Sequence, residues 1–225
     1  MRRALLLLPL LMALLMAACD TPAREAVRLA GEVRRMPPGT STAMADLPFA
    51  CEARDRSCVT LWLHRGAACA ELAEAPVTPE AMRPERRDCA VAALRRAGAL
   101  MPADATADER QEAAIRLADA LERRRDRASG EARRADNEAI LAAVAPLRAP
   151  PAGAAPYADH YAAGVALNRV QAGDLPEEAR CAALAEARAG AARATEVAGL
   201  PPLGDRIAQR RAAVAAQLSL SPRCA

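Results

Sequence analysis

The sequence predicts an all-α fold, in which disulfide bonds crosslink alanine-rich helical hairpins that follow a cleaved signal peptide. Three observations predict it. Apolar residues recur at intervals of three and four over most of the chain, which is the period of one face of a helix. Aromatic residues make up only 2% of the sequence, so the core must consist mainly of alanine and leucine. Six cysteines follow the amino-terminal segment, and an even number suits disulfide pairing.

The amino terminus has the three parts of a secretory signal. Arg2 and Arg3 form a positive head, residues 4–16 are apolar, and two small residues, Ala17 and Ala18, precede a cleavage site. A membrane span needs about 20 apolar residues, so this run is too short to remain as a transmembrane helix. We therefore predict that residues 1–18 are removed.

The four residues Met16-Ala17-Ala18-Cys19 resemble the lipobox of bacterial lipoproteins. The resemblance covers this motif alone, and it departs from the family pattern at Met16, where leucine is commoner. It implies that the Cys19 thiol receives a diacylglyceryl group and that the new amino terminus is acylated, with a fatty acid such as palmitate. The alternative is an ordinary secretory signal that leaves Cys19 as a free or disulfide-bonded thiol.

This resemblance implies a location and a division of the chain. Residues 19–48 would be a lipidated tether and linker, and residues 49–225 a helical extracytoplasmic domain with a possible hinge at 146–156. The protein would be anchored to the cell membrane by its lipid and would face the periplasm or the cell exterior.

The remaining cysteines are expected to form disulfides, because exported chains fold in an oxidising compartment. Six cysteines allow fifteen connectivities, and spacing along the chain favours neighbours. The predicted pairs are Cys51 with Cys58, Cys69 with Cys89, and Cys181 with Cys224. A metal cluster is the alternative, but no two of these cysteines have the paired spacing of a zinc site.

Charge and motif content exclude several function classes. The chain contains no lysine, and without Arg2 and Arg3 it has 29 basic against 28 acidic residues, so nothing favours nucleic-acid binding. The absence of lysine also excludes a phosphate-binding G-K-[ST] loop, a pyridoxal phosphate Schiff base and an S-x-x-K pair. There is likewise no G-x-S-x-G, H-E-x-x-H or G-x-G-x-x-G motif. We expect no cofactor, no metal and no established catalytic set.

In the first half of the chain we predict a short helix over residues 21–36, with Val27 on its apolar face, and a linker over 37–47. The stretch CVTLWLH at 58–64 is interpreted as helix, with a strand as the alternative. Gly66 is expected to break this helix before a second piece that carries Cys69. Antiparallel packing against a helix around Cys89 would then bring the two cysteines together.

The second half is more regular. Thr106 and Glu109 have the spacing of a capping box, and the helix they begin is expected to end near Gly130. Glu112 with Arg116 and Asp119 with Arg123 are four apart, as in helical ion pairs. We predict further helices over 131–145, with Ile140, Leu141 and Val144 inward, and over 203–218. The run ERRRDR at 122–127 is interpreted as a solvated last turn, with a patch for anionic lipid headgroups as the alternative.

Residues 157–198 are predicted to form a helical hairpin that turns at Gly173. Tyr161, Gly164, Gly173 and the small residues of 179–187 resemble a tetratricopeptide repeat unit, which implies two antiparallel helices packed through small side chains. The interval from Gly164 to Gly173 is two residues longer than in the repeat. No second copy follows at a period near 34, so a stacked array is not implied.

One helix face in this hairpin is the candidate site. Tyr157, His160, Tyr161 and Gly164 share one side of a helix, where two phenol rings above a glycine would form a groove for a ligand or a partner side chain. The alternative is that this stripe is packed core. The only other histidine, His64, is interpreted as a surface or capping residue.

Taken together, these features predict an interaction or scaffold module that binds a protein partner in the cell envelope. Two alternatives stay open. One is an envelope hydrolase that uses His160 with a carboxylate such as Asp159 or Glu178, and the other is a pilotin-like accessory lipoprotein.

Overall fold

The computed structural model describes residues 21–36, 41–149 and 153–224, with the backbone alone at 21–23 and 41. These residues form nine α helices and three short 3₁₀ helices and contain no strand, which confirms the all-α prediction. The helices are α1 Thr21–Val33, α2 Ser41–Asp46, α3 Arg56–Glu74, α4 Arg83–Ala99, α5 Ala107–Arg125, α6 Gly130–Val144, α7 Ala155–Gln171, α8 Glu177–Arg193 and α9 Arg206–Ser219. The predicted signal peptide and Cys19 lie outside the described residues.

The described residues divide into two compact units, one that ends at Asp104 and one that begins at Ala105. The boundary falls inside residues 49–225, for which the sequence predicts one helical domain. Each of the three predicted cysteine pairs is bonded, Cys51–Cys58 and Cys69–Cys89 in the first unit and Cys181–Cys224 in the second.

The centre of the first unit is the antiparallel pair of helices α3 and α4, which Cys69–Cys89 crosslinks. Gly66 lies in the middle of α3, and a Cβ there would be 2.5 Å from Cγ of Leu94 on α4. The prediction that Gly66 breaks the helix is therefore wrong. A glycine inside a helix costs only about 1 kcal/mol relative to alanine, and here it lets the two helices pack closely along their length.

Helices α1 and α2 pack against α3. The linker predicted over 37–47 contains α2 instead, because Met44 and Ala45 are buried and Asp46 pairs with Arg86 on α4 at 2.7 Å. On α1, Val27 is 61% exposed, contrary to the prediction. The buried face consists of Ala26, Leu29, Ala30 and Val33. This is the i, i+3, i+4, i+7 stripe of a helix, which does not include position 27.

An aromatic cluster holds the segment that precedes α3. The indole Nε1 of Trp62 donates to the backbone oxygen of Cys51 at 2.9 Å, and the Trp62 ring meets Phe49 edge to face at 4.8 Å. The guanidinium of Arg65 lies over the Phe49 ring at 5.2 Å. The Cys51–Cys58 disulfide and these contacts together hold the segment that precedes α3 in place.

The second unit begins with the predicted capping box. Thr106 Oγ1 accepts from the backbone N–H of Glu109 at 3.2 Å, and the Glu109 carboxylate accepts from that of Thr106 at 2.7 Å. The helix ends at Arg125, before Gly130, which has a positive φ of 54° and is the first residue of α6. Gly130 therefore begins α6 instead of ending α5.

The predicted hairpin is formed by α7 and α8, and α9 packs against both. Gly173 has a φ of 74°, and Pro176 occupies the N-cap of α8. At Gly190 on α8, a Cβ would be 2.9 Å from the backbone oxygen of Asp159 on α7, so the packing of the two helices leaves no room for a side chain at this position. Packing through small side chains is thus a property of this hairpin.

One residue of α6, the helix before the hairpin, differs from the prediction. On α6, Ile140 and Val144 are buried as expected, but Leu141 is 40% exposed because it lies one residue, or about 100°, around the helix. In the predicted hinge, Leu147 and Ala154 are buried on either side of residues 150–152, which are outside the described part of the chain.

Candidate functional site

The four predicted groove residues are in the interior. Tyr157, His160 and Tyr161 have no exposed surface, and Gly164 is buried. They do not line an open groove, so the packed-core alternative describes them. The reason is that α7 is covered by α6, α8 and α9 together, whereas the sequence pattern shows only which residues share a face.

Each tyrosine hydroxyl is held by a carboxylate. Tyr157 bonds to Glu196 at 2.8 Å and to the backbone oxygen of Pro201 at 2.9 Å, and burial together with Glu196 raises its pKa to about 12. Tyr161 donates to Asp119 on α5 at 2.5 Å, and burial beside Asp119 raises its pKa well above 10. Tyr161 therefore connects the hairpin to the carboxyl-terminal half of α5.

Glu122 lies on α5 three residues after Asp119. It is a buried carboxylate, with a side chain that is 8% exposed. It accepts from Arg210 at 2.5 Å and Arg206 at 2.9 Å, both on α9, and from Arg125 at 3.2 Å. Burial alone would raise the pKa of Glu122, but these three guanidinium groups lower it to about 2. The Glu122 carboxylate is thus ionised at neutral pH, and the three arginines balance its negative charge.

Gly164 makes room for this ion pair. A Cβ on Gly164 would lie 2.6 Å from Nη1 of Arg210 and 2.7 Å from an oxygen of Glu122, which is closer than atoms can approach. A side chain at this position would displace the ends of Arg210 and Glu122, so the space above Gly164 holds the Glu122–Arg210 pair and not a ligand.

Arg206 extends the network. It pairs with Asp119 at 2.6 Å as well as with Glu122, and its guanidinium lies 5.7 Å from the centre of the Tyr161 ring. Asp119 does not pair with Arg123, as the four-residue spacing had predicted, since Arg206 and Tyr161 occupy it. The predicted pair of Glu112 and Arg116 does form, at 2.7 Å.

An open cleft of about 320 Å³ adjoins this network, between the end of α5 and one face of α9. Its lining consists of Glu122, Arg123, Asp126, Arg206, Gln209, Arg210 and Ala213, and we call it the Glu122 cleft. The α9 residues are spaced i, i+3, i+4 and i+7, so they form one stripe of that helix. The volume is at the lower end of the range for sites that bind small molecules.

Sequence reasoning found part of this site and misinterpreted it. The run ERRRDR was interpreted as a solvated helix end, which is correct for the exposed Arg123 and Asp126 but wrong for Glu122 and Arg125, at 6% and 2% exposure. Arg206 and Arg210 are 84 and 88 residues from Glu122, and no local pattern connects them. The only signal was a glutamate at the same end of a helix as three consecutive arginines.

His160 is a buried histidine without hydrogen bonds. Neither ring nitrogen has a partner among the described residues, and the ring packs edge to face against Tyr161 at 5.2 Å. Burial, assisted by the nearby Arg210 and opposed by Glu122, lowers the pKa of His160 to about 4. The imidazole is therefore neutral at pH 7.

The pairing that a hydrolase would need is not formed. Asp159 pairs with Arg148 at 2.9 Å and with Arg193 at 2.7 Å, and Glu178 is exposed in the first turn of α8. A general base needs a hydrogen-bond path to the proton that it abstracts. His160 has no such path in the described structure, and its ring does not reach solvent.

In residues 21–36, 41–149 and 153–224, no group of three or more potential ligands is arranged to hold a metal ion. In the same ranges no helix combines the length and the apolar composition that crossing a bilayer requires. His64 is exposed within α3, and not at its end, because that helix continues through Gly66.

The comparisons with known proteins add no relative. No protein-family model matches the sequence, and no match is found among curated proteins or solved structures.

Proposed function

We propose that this chain is a lipid-anchored helical interaction module of the cell envelope, which binds a protein partner through the Glu122 cleft. The lipobox-like residues 16–19 support the anchor. The three disulfide bonds of the fold support an oxidising compartment, on the periplasmic or outer side of the cell membrane.

The observation that carries the proposal is the preorganised charge of the cleft. Arg206 and Arg210 are held by Asp119 and Glu122, and α9 itself is packed against α7 and α8. Charged groups that are already fixed lose little conformational entropy when a partner binds. A rigid surface with complementary charge is what a specific interface uses to select its partner and set its orientation.

The anchor is tested with a palmitate analogue that carries an alkyne. Cells that express the wild-type chain or the Cys19→Ser variant are labelled, and membrane and soluble fractions are compared. We expect label and membrane retention for the wild type and neither for the variant. An unlabelled mature wild-type chain that is recovered in the soluble fraction would contradict the anchor.

The partner-binding surface is tested by photo-crosslinking in intact cells. A benzoylphenylalanine is placed at Gln209, inside the cleft, or at the exposed Glu178 on α8 as a matched control. We expect one reproducible crosslinked protein from position 209, diminished by Arg123→Gln, and none of the same size from position 178. Equal capture from both positions would show that the cleft is not the binding surface.

A further inference from the structure

We infer that the Glu122 cleft binds a single carboxylate group, presented by an acidic side chain of the partner. This inference rests on the proposed function, because it names the chemistry by which the cleft recognises that partner.

The charge balance leaves room for one anion. The lining contains three arginines, Arg123, Arg206 and Arg210, against two carboxylates, Glu122 and Asp126. The groups immediately behind the lining cancel, because Arg125 bonds to both lining carboxylates while Asp119 bonds to Arg206. One positive charge is therefore uncompensated, and a monoanion would neutralise it.

The donors that remain are suited to a carboxylate. Arg123 is exposed and forms no ion pair with any residue that the structure describes, and the Gln209 side chain makes no hydrogen bond there either. Nε of Arg210 also has no acceptor among the same residues, but it is buried, so the donors that a ligand reaches are those of Arg123 and Gln209. A guanidinium offers two parallel N–H groups that match the two oxygens of a carboxylate. The arginine fork and the neighbouring amide together suit a planar group with two acceptors.

Glu122 is not a free acceptor for a further donor in the cleft. Both of its oxygens are already occupied, one by Arg206 and the other by Arg125 and Arg210. Glu122 holds the α9 arginines in place at the base of the cleft, and Arg123 stands free beside them. At about 320 Å³, the cleft has room for an acidic side chain.

The inference is tested by nuclear magnetic resonance on the full mature protein in dodecyl maltoside micelles, labelled with ¹⁵N-arginine and ¹⁵N-glutamine. Sodium acetate is titrated at constant ionic strength against sodium chloride, and dimethyl phosphate is titrated in parallel. We expect acetate to cause saturable shifts of the Gln209 amide and of the Nε–H signals of Arg123, Arg206 and Arg210. Dimethyl phosphate should bind at least fivefold more weakly.

Two variants provide the control. Arg123→Gln removes the free guanidinium and should weaken acetate binding at least fivefold, while Arg127→Gln, an exposed arginine on the same turn of chain that does not line the cleft, should change it less than twofold. Circular dichroism confirms that both variants are folded.

Three results would overturn the inference: no saturable shift with acetate, equal effects of the two variants, or tighter binding of dimethyl phosphate, which would indicate a lipid phosphodiester. If the crosslink from position 209 is found but acetate does not bind, the proposed function stands and the carboxylate chemistry fails. If acetate binds but no partner is crosslinked, the proposed function fails instead.

Discussion

Arg210 on α9 donates to the carboxylate of Glu122 on α5 at 2.5 Å across a sequence separation of 88 residues, and Gly164 on α7 provides the space for the pair. Three helices thus meet at one buried ion pair. A buried charge is costly unless it is compensated. The stability of the second unit therefore depends on Glu122, Arg210 and Gly164 together.

The role of glycine at position 164 is directly testable. In Gly164→Ala the added methyl group would displace the ends of Arg210 and Glu122 and so disturb their ion pair, and we expect a loss of about 1–3 kcal/mol in unfolding free energy, as for other overpacked sites. The matched control is Gly98→Ala on α4, where a Cβ meets no atom within 4 Å and alanine favours the helix. Urea denaturation followed by circular dichroism measures both. Equal effects of the two substitutions would refute the role assigned to Gly164.

Neutralising the central carboxylate should destabilise the protein strongly. Glu122→Gln leaves Arg125, a buried arginine, without its charge partner on that side, and breaking a buried ion pair costs about 3–5 kcal/mol. The control is Glu112→Gln, which removes the exposed pair to Arg116 and should cost less than about 1 kcal/mol. Chemical denaturation at pH 7 distinguishes them. A Glu122→Gln variant as stable as Glu112→Gln would show that the network contributes little.

Stability should decrease with acid in two steps. The pKa of His160 is lowered from 6.5 to about 4, so the unfolded chain takes up a proton first and stability falls as the pH drops from 6.5 to 4. The pKa of Glu122 is lowered from 4.5 to about 2, so its contribution is complete above pH 4.5 and is lost as the pH falls towards 2. Thermal unfolding at several pH values measures both steps.

The first step can be isolated with His160→Phe. The ring nitrogens have no partners among the described residues, so an apolar ring of similar shape should retain or increase stability at pH 7. The variant should also lack the decrease between pH 6.5 and 4, which we expect to be on the order of 2 kcal/mol in the wild type. An unchanged pH profile in His160→Phe would mean that another group titrates in this range.

The disulfide between Cys181 and Cys224, the one crosslink among the described residues of the second unit, should stabilise that unit. Cys181 and Cys224 are 43 residues apart, and the chain-entropy relation gives about 4 kcal/mol for a loop of that length. The double variant Cys181→Ala/Cys224→Ala should lose this amount in urea denaturation. Cys224→Ala alone should lose nearly as much, because either substitution removes the crosslink. A double variant with wild-type stability would show that the tail is held by other contacts.

The sequence by itself determined the features that depend on residues near each other in the chain. The capping box of Thr106 and Glu109 and the turn at Gly173 are local hydrogen-bonding and backbone preferences, so the residue types predict them. The pairing of Cys69 with Cys89 follows from two helices of similar length on either side of one turn. The all-helical class follows from the period of the apolar residues.

Tertiary structure alone decided which of these helix faces are covered and by what. The face of Tyr157, His160 and Tyr161 was correctly identified but is closed by three neighbouring helices. Glu122 has the same sequence signature as any glutamate in a solvated last turn, and it is buried only because α9 brings two arginines from 84 and 88 residues away. A helical period tells which residues share a side, whereas desolvation and charge pairing depend on how the helices pack around one another, and that is set by the whole core.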